Sequence, residues 1–173
     1  MVWTPKFQAV QEEALIDNII RVVQRDFKDA LDTFYPTEAA LPESDSRFLR
    51  DFQEHALGQI EGMVYPCFAI KPNRNASTES DGGDRLNEVH RIDIYAGVTD
   101  DSPATVTTRI MRYVCTLDAV LRSARKSDYF RNMSTQIFGF VLEMEHIYGP
   151  IGKTESSLFR GAQLDLTITV NER

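Results

Sequence analysis

Between Glu88 and Ser123 the hydrophobic period of the chain changes once, at a proline. In "EVHRIDIYAGV" the residues Ile92, Ile94, Ala96 and Val98 alternate with Arg91, Asp93 and Tyr95, the two-residue repeat of a strand with one face on a core. After "DDSP" the residues Val106, Ile110, Tyr113, Val114, Leu117, Leu121 and Ala124 recur at helical spacing, as in a helix docked by one side. Asp101 or Ser102 can cap the free N–H groups, and Pro103 falls in the first turn, where its missing donor is harmless. Arg122, Arg125 and Lys126 suit the negative end of the helix dipole. A strand and a helix that each carry one apolar face bury those faces in a two-layer arrangement.

The remaining elements fit the same plan. Apolar residues from Phe7 to Phe34, among them Val10, Ile16, Ile19, Val23, Phe27 and Leu31, predict a long N-terminal helix that Pro36 stops. "PTEAALPESDS" reads as a connector, and Phe48, Leu49, Phe52, Ala56 and Ile60 predict a second helix closed by Gly62. "MVYPCFAIKP", "IFGFVLEMEHIY" and "AQLDLTITVNE" read as further strands, with Phe138, Phe140, Leu142 and Met144 on one face of the second and Leu164, Leu166, Ile168 and Val170 on one face of the third. The expected fold is α+β: a mostly antiparallel sheet of about four strands, covered on one face by helices, with a long N-terminal helix. All 173 residues are expected to form a single domain, with a helical part over 1–62 and the sheet plus its helix over 63–173.

No apolar run approaches the roughly 18 to 20 residues that span a bilayer, so no membrane is expected as a partner. "MVWTPKFQAVQEE" lacks the basic start and apolar stretch of a signal peptide, so the chain is expected to stay where it is made. Cys67 and Cys115 are then expected to be buried thiols in a reducing compartment. The net charge of −7, from 26 acidic against 19 basic residues, argues against sequence-independent nucleic-acid binding, which needs a positive footprint.

Chemistry-bearing patterns are sparse. "HIYGPIGKTESS" contains Gly-Lys-Thr, but a phosphate loop needs its first glycine at position 147, which is Ile147, and a helix after the triplet, where the chain instead alternates like a strand. His90 and Asp93 would project from opposite faces of a strand and cannot share a metal, and Glu143 and Glu145 are likewise separated from His146. No Ser or Cys stands in a nucleophile motif. No catalytic residue, cofactor or metal is therefore expected. Two long connections, Asn73 to Asn87 and Tyr148 to Arg160, exceed what a hairpin requires and place charges beside glycines, which suits contact loops.

Over most of residues 60 to 173 the chain resembles the tail terminator and tail-completion proteins of long-tailed bacteriophages. The resemblance is carried by "YPCFAIKP" before a polar loop, "EVHRIDIYAGVTDD" running into the Pro-started helix with "RIMRYVCTLDAVLRSA", the strand ending "EHIYGPI", and the closing strand "SSLFRGAQLDLTITVNE". It implies a structural virion protein rather than an enzyme, assembled in the host cytoplasm. Such a protein forms a homo-oligomeric ring, usually a hexamer, at the head-proximal end of the tail, where it stops tube growth and joins the tail to the head connector. Its partners would be tail tube protein, connector or neck proteins and, in a contractile tail, the sheath, with DNA passing through the lumen without specific binding. Another neck or head-completion protein shares this fold class, and a small enzyme with an unidentified site is the further alternative. Under the resemblance, Arg74, Asp81, Asp84 and Arg85 in the first long connection and Tyr148, Lys153, Phe159 and Arg160 in the second become the interface candidates.

Overall fold

A computed structural model describes residues 10, 12–36, 48–50, 65–79, 85–133, 137–153 and 156–172. The elements are α1 (Glu12–Phe34), β1 (Phe48–Arg50), β2 (Cys67–Glu79), β3 (Leu86–Asp100), α2 (Pro103–Ser123), α3 (Lys126–Tyr129), β4 (Ile137–Lys153) and β5 (Leu158–Glu172). The sheet order is β1-β2-β3-β5-β4. All junctions are antiparallel except β1 with β2, where Phe48, Leu49 and Arg50 run parallel to Phe68, Ala69 and Ile70. The α+β class with a mostly antiparallel sheet is as the sequence predicts, and the long N-terminal helix is there in part: it runs from Glu12, Val10 is not helical, and the predicted residues 7–9 lie outside the described residues.

Three boundaries differ from expectation. Residues 48–50 lie in β1 rather than a second helix, because the free edge of β2 offers their backbone groups a ladder; the rest of that predicted helix, 51–62, lies outside the described residues. The polar segment after Asn73 is not a loop as far as Glu79: it continues β2 and pairs, past an irregularity at Pro72, with β3 from Arg91 back to Leu86. Likewise the chain from Tyr148 to Arg160 is mostly strand, with β4 reaching Lys153 opposite Leu158 and an irregularity between Tyr148 and Ile151. In the first place ladder hydrogen bonds hold a polar arm that packs little apolar surface, and in the second the irregularity between Tyr148 and Ile151 interrupts the alternation, so neither gave a strand signal.

The core lies between the helices and one face of the sheet. Ile92, Ile94, Ala96 and Val98 of β3 and Leu164, Leu166, Ile168 and Val170 of β5 are buried there, under Ile110, Tyr113, Val114, Leu117 and Leu121 of α2 and Leu15, Ile19, Val23, Phe27 and Leu31 of α1. Phe27 of α1 meets both the sheet and α2 edge-on, 4.8 Å from the Phe68 ring and 5.6 Å from the Tyr113 ring. Ser102 is the N-cap of α2, its hydroxyl accepting from the Thr105 N–H, and Pro103 follows at the first helical position. The short α3 is fixed to α1 by side chains: Asn18 Nδ2 donates to the Tyr129 carbonyl at 2.9 Å and to the Arg131 carbonyl at 3.2 Å, and Arg21 donates to the Asp128 carbonyl at 2.8 Å.

Adjacent positions on α2 separate core from surface. Ile110 is fully buried and Met111 is half exposed. Ile110→Ala should lower unfolding stability by about 2–5 kcal/mol, whereas Met111→Ala should stay within about 0.5 kcal/mol of wild type, as read by denaturant midpoints.

Candidate interaction surfaces

Alternation along the strands gives the sheet two faces of different chemistry. At its far end the helix-covered face carries charge. Glu88 and His90 are almost wholly buried, with His90 Nε2 3.8 Å from Glu88 Oε2, and the Val10 N–H donates to the same oxygen at 2.9 Å. This carboxylate ties the segment before α1 to the sheet. His146, on β4, meets Asp118 of α2 at 3.1 Å, and Arg122 meets the same carboxylate at 2.8 Å. His55 lies outside the described residues. His90 and Asp93 do occupy opposite faces, and among the described residues no group of three His, Cys, Asp or Glu side chains is placed to hold a metal ion.

The opposite face of the sheet is open over much of its area. Near the Cys67 end of β2 it is covered by a small cluster in which Tyr95, Ala69 and Phe159 are buried beside Tyr65, with the Tyr65 and Phe159 rings 5.1 Å apart. The Tyr95 ring lies over Gly161, where any Cβ would collide with it. Tyr95 is therefore interior, although its alternation reads as outward. Burial pushes its phenol pKa up, and pushes the Cys67 thiol up to about 12. Cys115 is exposed on α2, contrary to the expectation of two buried thiols, because it falls on the outer side of that helix.

Across the middle of this face runs a row of charges in register. Lys71 of β2 stands opposite Asp93 of β3, Asp93 opposite Asp165 of β5, and Asp165 opposite Glu145 of β4. Asp93 is 5% exposed, accepts two hydrogen bonds from Asn73 Nδ2 at 3.0 and 3.2 Å, and lies 3.9 Å from Lys71 Nζ. Burial raises its pKa, the Asn73 hydrogen bond opposes that, and the Asp165 charge adds to the rise. Toward β2 the same face bears Arg74 directly opposite Arg91, both exposed.

The outer strand β4 presents a further feature. Among the described residues, four of the six exposed large hydrophobic residues, Val141, Ile147, Tyr148 and Ile151, belong to it. Val141 and Ile147 share the open face with Glu143 and Glu145, while Tyr148 projects toward the α2 side, near Cys115. Both sides of one sheet edge are thus lined by exposed apolar groups.

The interface candidates fall into separate environments. Arg74 and Arg85 are exposed on the β2–β3 arm, and Asp81 and Asp84 lie outside the described residues. Tyr148 and Lys153 are exposed on β4. Phe159 is 2% exposed and belongs to the cluster with Tyr95, so it is an interior residue of one chain. Arg160 is a strand residue bound internally: its Nε donates to the Gly149 carbonyl at 3.0 Å and a terminal nitrogen donates to Thr107 Oγ1 at 2.8 Å. It links β5, the end of β4 and the start of α2. Gly152 and Lys153 are strand residues, a setting without the helix N-terminus that a phosphate loop requires. Sequence reasoning singled out Arg74 and weighed Asp93 only as a metal ligand; it passed over Arg91 and Asp165, whose partners are set by register between strands.

Arg160→Glu should lower unfolding stability by about 1–3 kcal/mol through loss of these hydrogen bonds, at any protein concentration; an unchanged denaturation midpoint would show that the ties contribute nothing. For Asp93, a carboxyl with a pKa raised on folding stabilises the fold below its ordinary value of 3.8, and this contribution is lost as pH rises through the raised value. Asp93→Asn removes that loss. Its stability relative to wild type should therefore increase as pH rises through this window and then level off, as read from denaturant unfolding between about pH 3 and 7.

Compared with known proteins, the chain matches no family model and no curated protein.

Proposed function

We propose that this protein is a structural component of a bacteriophage tail, forming a ring at the head-proximal end that stops tube growth and joins the tail to the head connector. The observation that carries the self-assembling part of this reading is β4. It is an outermost strand, runs for 17 residues, and has exposed apolar side chains on both of its sides. A long edge with apolar flanks is a template for association. An assembly that closes on itself turns that hazard into an interface, and a ring closes when a surface of one subunit meets a different surface of the next.

The tail-specific part rests on the resemblance of most of residues 60–173 to tail terminators, in the order strand, Pro-started helix, strand, closing strand. The acidic balance suits a lumen that DNA crosses without adhering.

Solution mass of the purified protein, measured over a wide concentration range with and without tail tube protein, tests the proposal. A closed oligomer of defined size, forming alone or on the tube, is the expected result. A ring indifferent to the tube would move the protein to another neck position. A monomer under both conditions would overturn the proposal.

A further inference from the structure

The two lateral edges of the sheet differ in charge, and each holds a like-charge pair. On the open face Arg74 of β2 lies directly across from Arg91 of β3, while Glu145 of β4 lies directly across from Asp165 of β5. Like charges facing one another across a ladder are destabilising. No ion pair to Arg74 or Arg91 occurs among the described residues. Glu143, two residues along β4, adds a further exposed carboxylate to the acidic side. The open face is thus basic along the β2 edge and acidic along the β4 edge.

Backbone geometry matches this polarity. The short β1 occupies β2 only at Phe68–Ile70, so among the described residues the outer side of β2 from Asn73 to Glu79 has no strand beside it. Because β2, β3, β5 and β4 alternate in direction, the two edge strands β2 and β4 are antiparallel to each other. A second copy set beside the first in the same orientation therefore brings its β2 antiparallel to β4, the more stable pairing.

We infer that the protein self-associates by β-strand addition, the β4 edge of one copy pairing with the Asn73–Glu79 edge of β2 in the next. This rests on the ring reading above and specifies its junction. The register that sets Glu145 opposite Arg74 of the neighbour places Glu143 opposite Ala76 and Val141 opposite Thr78, all on the open face. Each edge's like-charge pair then gains the opposite sign from the neighbouring copy. A two-fold β4–β4 dimer fares worse. Full overlap of Ile137–Lys153 with itself puts Glu145, the middle residue of the strand, against its own copy. The occupant of the β4 edge is therefore the β2 edge of another copy, and the contact is head-to-tail.

Two charge-reversed proteins provide the test: Glu143→Lys with Glu145→Lys, and Arg74→Glu with Arg91→Glu. All four positions are exposed, so each protein should keep the wild-type circular dichroism spectrum. Each alone should associate at least about ten-fold more weakly than wild type, since its edges now repel. An equimolar mixture should recover assembly, because every junction between alternating copies again pairs opposite charges. Wild-type assembly by each variant alone would overturn the edge pairing while leaving the ring reading intact. So would two folded variants whose mixture stays dissociated. A wild type that stays monomeric with and without tube protein would overturn both readings.

Discussion

The apolar rows of β3 and β5 pack beneath α1 and α2, and this one-sided burial is the constraint on which the rest of the molecule depends. Ile92, Ile94, Leu164, Leu166 and Ile168 are sealed by Phe27, Leu31, Ile110, Tyr113 and Leu117. Once these rows face the helices, the pleat sends Asp93, Tyr95, Asp165 and Thr167 to the other side. The same packing keeps β3 and β5 in the centre and leaves β4 outermost. The charged face and the apolar-flanked edge follow from it.

That open face is only partly solvated. Tyr65, Tyr95 and Phe159 close one end over the glycines at 97 and 161, where side chains would collide with the rings. Beyond them the face is given to charge, which grades from Lys71 and Arg74 on β2, through Arg91 and Asp93 on β3, to Asp165 on β5 and Glu143 and Glu145 on β4. A solitary subunit has no energetic reason to set Arg74 against Arg91 or Glu145 against Asp165, since interleaving the signs would be more favourable. Complementarity between two different edges gives the segregation a purpose and a direction. It also favours a head-to-tail contact over a symmetric pair, since the acidic edge repels its own copy.

The parts of the fold legible in the sequence are those specified locally. α2 announces itself through its cap, its proline and its apolar spacing, and β5 through strict alternation over Leu164–Val170. The arm of β2 beyond Pro72 gives no such signal, because residues 72–79 are all exposed and hold their place by ladder hydrogen bonds. Residues 48–50 carry apolar groups that fit a helix, but the free edge of β2 makes them a strand. The environments of the interface candidates have the same origin. Phe159 and Arg160 are held by Tyr65, Thr107 and Gly149, partners that no local window contains. Arg74 and Tyr148 keep their exposure. The charge pairing of the open face is a property of register, so it became visible only once the strands were aligned.

Backbone amide hydrogen exchange on the protein, compared between dilute and concentrated solution, tests the central claim most directly. Edge pairing between copies predicts that protection rises with concentration in β4 and in residues 73–79 together, while α2 and the inner strands stay unchanged. Protection in those two edges that is independent of concentration, in a sample whose mass shows assembly, would contradict it.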